Sequence, residues 1–202
     1  AGQGTIGAVP FDVSYAQSFA PEKKGRARIE GSITLSQQTV TEFGLGLPTG
    51  MVSGEGQGQV AIDLAHGAPG KLSLVSDLNR IGLAIPELGW SKSPAERGRL
   101  EAEVTLGKPP KVTRISLDAP GLVAEGEVTM RAAGGLDVAR FDRVKMGNWL
   151  NAPVEIRGRG ANKSVGLAVT GGSVDMRKMP GASQRKSSGG SGGGPLTLQL
   201  DS

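Results

Sequence analysis

Several groups of residues have a type and spacing that could do chemistry, and each makes a demand on its surroundings. Gly2, Gly4 and Gly7 spell G-x-G-x-x-G, the pattern that brings a backbone up to a dinucleotide pyrophosphate at a helix N-terminus. Val9-Pro10-Phe11 follows where that helix would run, so a glycine-rich connection is expected instead. Gly189, Ser191 and Gly193 fit G-x-S-x-G, the elbow that presents a nucleophilic serine beside a histidine. This copy lies in a Gly/Ser run, where chance matches arise. Gly70-Lys71 has the end of a phosphate loop, but Leu72 replaces the hydroxyl ligand and Ala65 the first glycine. His66, the single histidine, precedes Gly67 in what reads as an exposed hairpin turn. Glu101/Glu103 and Glu125/Glu127 have the chemistry of an acid–base pair. Each pair alternates with apolar residues, which puts both carboxylates on the wetted face of a strand, opposite Lys and Arg of neighbouring strands. No catalytic constellation results, and the chain reads as a non-enzyme without a cofactor.

Composition narrows the classes further. The 202 residues include no cysteine, which excludes disulfide scaffolds, thiol catalysis and cysteine-ligated metals. One histidine excludes a multi-histidine metal cage. No run of 18 apolar residues is present to cross a bilayer as a helix. With no initiator Met and no signal-peptide pattern, Ala1 reads as an internal cut in a longer chain. The net charge is +4 and the pI 9.6, but the distribution does not suit nucleic acid. Lys23, Lys24, Arg26 and Arg28 are flanked by Glu22 and Glu30, and Arg157 and Arg159 have Glu155 beside them. Two Trp, one Tyr and four Phe are too few to interleave as stacking platforms. Attraction to acidic lipid headgroups fits the same charge.

The elements that would position these residues are strands. Ala27, Ile29, Ile33 and Leu35 alternate with Arg28, Glu30, Ser32 and Thr34. The same period of two recurs at residues 60–64, 72–74, 100–106, 122–131, 154–156, 165–169 and 196–200. Gly-Lys-Pro-Pro at 107–110, Asp-Ala-Pro-Gly at 118–121 and Gly134-Gly135 punctuate the strands as turns. Helical periodicity lasts nowhere beyond a turn; residues 93–97, with Pro94 at the first position, read as one short turn. Gly147-Asn148 and Asn151-Ala152-Pro153 bracket Trp149 as turn residues. The expectation is an all-β chain of about ten to twelve strands. A single segment over 1–202 carries a flexible Gly/Ser-rich loop at 179–195.

Alternation over so many strands produces one apolar face, lined by Leu, Ile, Val and Ala with few rings. The inward aliphatics are Ile29, Ile33, Leu35, Val60, Ile62, Leu64, Leu100, Val104, Leu106, Leu122, Val128, Met130, Val165, Leu167 and Val169. Two architectures accommodate them. One is an elongated, mostly antiparallel twisted sheet that forms an open groove; the other is a closed β-sandwich with the face packed dry. An aliphatic groove is a solvent for acyl chains at about 0.8 kcal/mol per buried CH₂, on the order of 12 kcal/mol gross for a chain of about 16 carbons.

Ser76-Asp77-Leu78, followed by Gly82-Leu83-Ala84-Ile85-Pro86-Glu87-Leu88-Gly89-Trp90-Ser91-Lys92, resembles a segment of the AsmA-like superfamily, particularly its large YhdP-type members. Gly121-Leu122-Val123-Ala124-Glu125-Gly126, Arg143-Val144-Lys145-Met146-Gly147 and Gly171-Gly172-Ser173-Val174-Asp175-Met176-Arg177 resemble further segments, so the likeness spans residues 26–177. It implies a long groove-shaped β structure tethered to the inner membrane of Gram-negative bacteria and crossing the periplasm. It further implies a bridge-like conduit carrying phospholipid toward the outer membrane. The implied partners are phospholipid acyl chains, the remaining segments of the same long chain, and the inner membrane through an anchor outside this segment. Nucleic acid is not among them. Trp90 is expected to plug one end of the strand array with its indole N–H on a carbonyl.

Overall fold

The computed structural model describes residues 2–7, 9–17, 26–45, 47, 49–158 and 166–178. Val165, the loop expected at 179–195 and the strand expected at 196–200 lie outside them. Among the described residues there are fourteen strands, joined in one antiparallel system. A hairpin of β1 (Gly2–Ile6) and β2 (Val9–Gln17) is followed by β3 (Arg26–Ser36), a helix α1 (Gln37–Glu42), β4 (Val52–Ala65) and β5 (Ala68–Ser76). Two short strands, β6 (Ile81–Ile85) and β7 (Trp90–Lys92), then leave the main sheet. It resumes with β8 (Arg99–Thr105), β9 (Lys111–Ala119), β10 (Leu122–Met130), β11 (Leu136–Met146), β12 (Leu150–Arg157), β13 (Gly166–Val169) and β14 (Ser173–Val174).

The main sheet runs β1-β2-β3-β4-β5-β8-β9-β10-β11-β12-β13, with β14 also on β12 and the β6–β7 pair on β4. It is not closed into a barrel and is not divided into the two sheets of a sandwich. Nearly every step is a hairpin, because each turn chemistry allows only a short connection. The connections are tighter than the sequence suggests: the Asp-Ala-Pro-Gly turn reduces to Pro120-Gly121, with Gly121 at φ 77. Asn151-Ala152-Pro153 is not a turn but part of β12, where Pro153 lies on the outer face.

Pairing register fixes the faces. Ile29 lies opposite Ile62, Ile62 opposite Leu72 and Leu72 opposite Val104. Leu100 lies opposite Leu117, Leu117 opposite Ala124, Ala124 opposite Val144 and Val144 opposite Ala152. Cross-strand partners point the same way, so one apolar face runs across the sheet. The other face carries the charges. There Arg28 Nη1 donates to both carboxylate oxygens of Asp63 at 2.8 and 2.9 Å, Lys111 meets Glu127 at 3.4 Å, and Arg140 meets Glu155 at 3.1 Å. The sheet bends where β10 and β11 slip register at Glu125/Gly126, and a side chain at Gly126 would collide with the Arg140 carbonyl. A glycine at a bulge is the usual device for curling a sheet.

Candidate functional site

Two covers fold over the apolar face. The first is α1, which the alternation pattern did not anticipate. Ser36 is extended and its Oγ accepts from the Thr39 N–H at 3.4 Å, while Thr39 Oγ1 accepts from the Ser36 N–H at 3.2 Å and donates to the Thr34 carbonyl at 2.7 Å. This reciprocal box starts a helix of six residues, too short to persist without packing. It packs on β2, β3 and β4 and buries Thr39 and Val40.

The second cover is the segment between β5 and β8. Ser76 Oγ donates to the Gln57 carbonyl at 2.8 Å and accepts from the Leu78 N–H at 3.1 Å. The chain then turns through Leu78 (φ 51) and Arg80 (φ 65), and β6 pairs with the start of β4, Leu83 opposite Val52. Pro86 opens a 3-10 turn that ends at Gly89 (φ 63), and β7 returns along β6. Two side chains fasten this small sheet. Trp90 Nε1 donates to the Pro120 carbonyl at 2.9 Å, the plug expected from the sequence. Lys92, 2% exposed, donates from Nζ to the carbonyls of Leu78 (2.9 Å), Ile81 (2.7 Å) and Ser93 (3.1 Å). Burial lowers its pKa below the ordinary 10.5, an effect that the nearby Glu96 and Asp77 oppose.

Between these covers and the sheet lies a cavity of about 380 Å³, within the roughly 300–1,000 Å³ of small-ligand pockets. Val40, Leu45 and Leu47 form one wall, and Leu78, Ile81, Leu83, Ile85 and Leu88 another. The sheet contributes residues from β3 to β14, among them Leu74, Ile115, Leu117, Ala124, Phe141, Val144, Met146, Val154 and Ile156, and the β11–β12 turn adds Trp149. A single cavity lined from both ends of the strand order shows that the sheet curves around it. Among the described residues, Ser36 and Thr39 are the only lining residues with a hydroxyl, and both hydroxyls are engaged in the helix cap.

Of the aliphatics expected from alternation, Leu35, Leu100, Leu122, Leu167 and Val169 line the cavity. Ile29, Ile33, Val60, Ile62, Leu64, Val104, Leu106, Val128 and Met130 share the face but lie outside the cavity wall. Most are half-buried; Leu64 is 38% exposed, and Met130 is buried. The face therefore continues beyond the covered part. The lining residues that alternation missed come from α1, from residues 45 and 47, from β6 and its 3-10 turn, and from β9 (Ile115, Leu117) and β11 (Phe141, Val144, Met146). Ser36 as a helix cap and Pro86 at the 3-10 start were the local signals for these pieces.

The motifs weighed for catalysis sit elsewhere. Gly2 and Gly4 belong to β1 and Gly7 (φ 59) to the hairpin turn after it. His66 is exposed in the β4–β5 turn. Glu101 and Glu103 face away from the cavity, beside Ser73, Val75 and Arg114 in a recess of about 80 Å³. That is room for a few waters, well short of a ligand pocket. Among the described residues no group of three or more His, Cys, Asp or Glu is placed to hold a metal ion, and no helix is long and apolar enough to cross a membrane. Compared with protein-family models, with curated proteins and with solved structures, the chain matches none of them.

Proposed function

We propose that this chain holds lipid acyl chains against the apolar face of its curved sheet and serves as one segment of a periplasmic conduit that passes phospholipid toward the outer membrane. The observation that carries this reading is the cavity itself: about 380 Å³ bounded almost wholly by aliphatic side chains and continuous with an apolar strip of half-buried residues. A wall without polar handles offers an acyl chain about 0.8 kcal/mol per CH₂ buried and no position that would trap a headgroup. Headgroups would stay in water at the rim. The charged outer face, cross-linked by ion pairs, suits an aqueous compartment on the side away from the lipid. Tethering to the inner membrane through another part of the chain, and continuation of the trough by other segments, accompany the resemblance to AsmA-like proteins. The role is binding and transport, not catalysis.

The test is native mass spectrometry with lipid extraction on the chain purified from bacterial membranes. Co-purifying phospholipid, reduced by Leu117→Asp or Val144→Asp in chains that remain folded, is the expected result. A monodisperse, lipid-free chain that takes up no added fatty acid would make the cavity a packing defect of a structural β-sheet and overturn the proposal.

A further inference from the structure

We infer that α1 and the three residues after it form a strap that gates the cavity: an acyl chain enters between this strap and the β10–β11 hairpin. The inference rests on the acyl-chain reading above and adds the route and its control. Val40 and Leu45 belong to the cavity wall, yet Leu45 is 38% exposed and the adjoining Phe43 43% exposed. A side chain that lines the cavity and meets water lies at its mouth. The strap is rooted on one side of the sheet by the Ser36/Thr39 cap and the Thr39–Thr34 bond. Its remaining backbone bonds are internal, Phe43 N–H to Thr39, Gly44 N–H to Thr41 and Leu45 N–H to Val40. On the far side one backbone bond, Gly135 N–H to the Gly44 carbonyl at 3.2 Å, fastens it to the hairpin turn.

This is a hinge and a latch. Among the described residues the latch is a single neutral hydrogen bond at the surface, which water replaces at little net loss. The seated strap also carries an imbalance: Gln37 Oε1 is buried with no hydrogen-bond partner among the described residues. Lifting the strap hydrates that oxygen, and an acyl chain covers the aliphatic wall that lifting uncovers. The first effect lowers the cost of opening in either condition; the second favours opening when lipid is present.

The chain has no cysteine, so Gly44→Cys with Gly135→Cys introduces one possible disulfide across the latch. Two α-carbons joined through such a hydrogen bond lie within about 7 Å, the reach of a disulfide. Uptake of cis-parinaric acid, an 18-carbon fatty acid that fluoresces when buried, is followed by stopped flow. Both glycines lie at positive φ, 58 and 83, where a side chain is strained, so the two redox states of the same double variant are compared. The oxidised one is expected to take up the probe at least tenfold more slowly than the reduced one, with the rate restored by dithiothreitol. Equal rates in both redox states overturn the strap while leaving the cavity as the acyl site. No uptake by the unaltered chain overturns both. If the pair does not oxidise, amide exchange of the unaltered chain decides. Gly135 should exchange at least tenfold faster than Gly147, whose N–H bonds the Gly121 carbonyl at 2.9 Å; equal or slower exchange overturns the gate.

Discussion

Lys92 Nζ lies 2.7 Å from the carbonyl oxygen of Ile81 at a site 2% open to water, and this contact holds the small β6–β7 sheet in place over the cavity. Three carbonyls converge on the ammonium without a carboxylate in contact. Lys92→Met keeps the length of the side chain and removes the donor. Leu78 O retains the Ile81 N–H at 3.3 Å and Ser93 O the Glu96 N–H at 3.1 Å, so the carbonyl of Ile81 loses most. A loss of about 1–3 kcal/mol per orphaned group should lower the urea midpoint clearly.

The same residue gives a pH signature. The folded amine releases its proton below the ordinary 10.5 because burial disfavours the charge. In the window just below 10.5 the unfolded chain therefore binds more protons than the folded one, and stability rises with pH there. It falls again as pH drops through the folded value. The stability gap between the unaltered chain and Lys92→Met should widen from pH 7 to pH 10. A gap that stays constant over that range would remove the buried amine from the account.

Trp90 is the second fastener. Trp90→Phe keeps most of the apolar body but leaves the Pro120 carbonyl without its indole donor, an expected loss of about 1–3 kcal/mol. Trp90→Ala adds a cavity and should cost about 3–5 kcal/mol. Urea unfolding at fixed pH separates the two, and a negligible loss in Trp90→Phe beside a full loss in Trp90→Ala would show that the hydrogen bond carries nothing beyond packing.

How much of this could be read from the sequence follows from the range of the interactions. The faces were legible because alternation is a local property: Ile29, Ile62, Val104 and Val128 all turn out on one side. The β5–β8 pairing was not, since nothing local says that residues 77–98 leave the sheet and return. α1 escaped notice because six residues show less than two turns of periodicity, and only Ser36 hints at it. The extent of the cavity was hidden for a related reason. The apolar face is chemically uniform, so which half is covered depends on which distant segment folds over it. Trp90 was legible because an indole in a buried site requires an acceptor, whichever carbonyl supplies it.

Glu155 offers a test of the charged face. Its carboxyl is held below the ordinary 4.5, first by the Arg157 hydrogen bond and then by Arg140, with partial burial acting in the opposite direction. A lowered carboxylate pKa contributes stability above the unfolded value, and that contribution is lost as pH falls through the folded one. Glu155→Gln should therefore flatten the decline of the urea midpoint between pH 6 and pH 3. It should also reduce the sensitivity to added salt. An unchanged acid limb would mean that these ion pairs are energetically neutral.

Ala124 decides whether the cavity is usable space. It is buried, lines the cavity, and stands in register between Leu117 and Val144. In a solidly packed interior, Ala124→Phe forces neighbours from their rotamers at about 1–3 kcal/mol. In an open apolar cavity the ring instead occupies free volume and contributes its own burial, so the midpoint should hold or rise. Uptake of a fatty acid should meanwhile fall at least tenfold, because ring and chain compete for the same room. Paired melting and uptake measurements read the two effects independently. A destabilised chain with unaltered uptake would place the acyl chain elsewhere on the face, on the uncovered strip of Ile62, Leu64 and Val104.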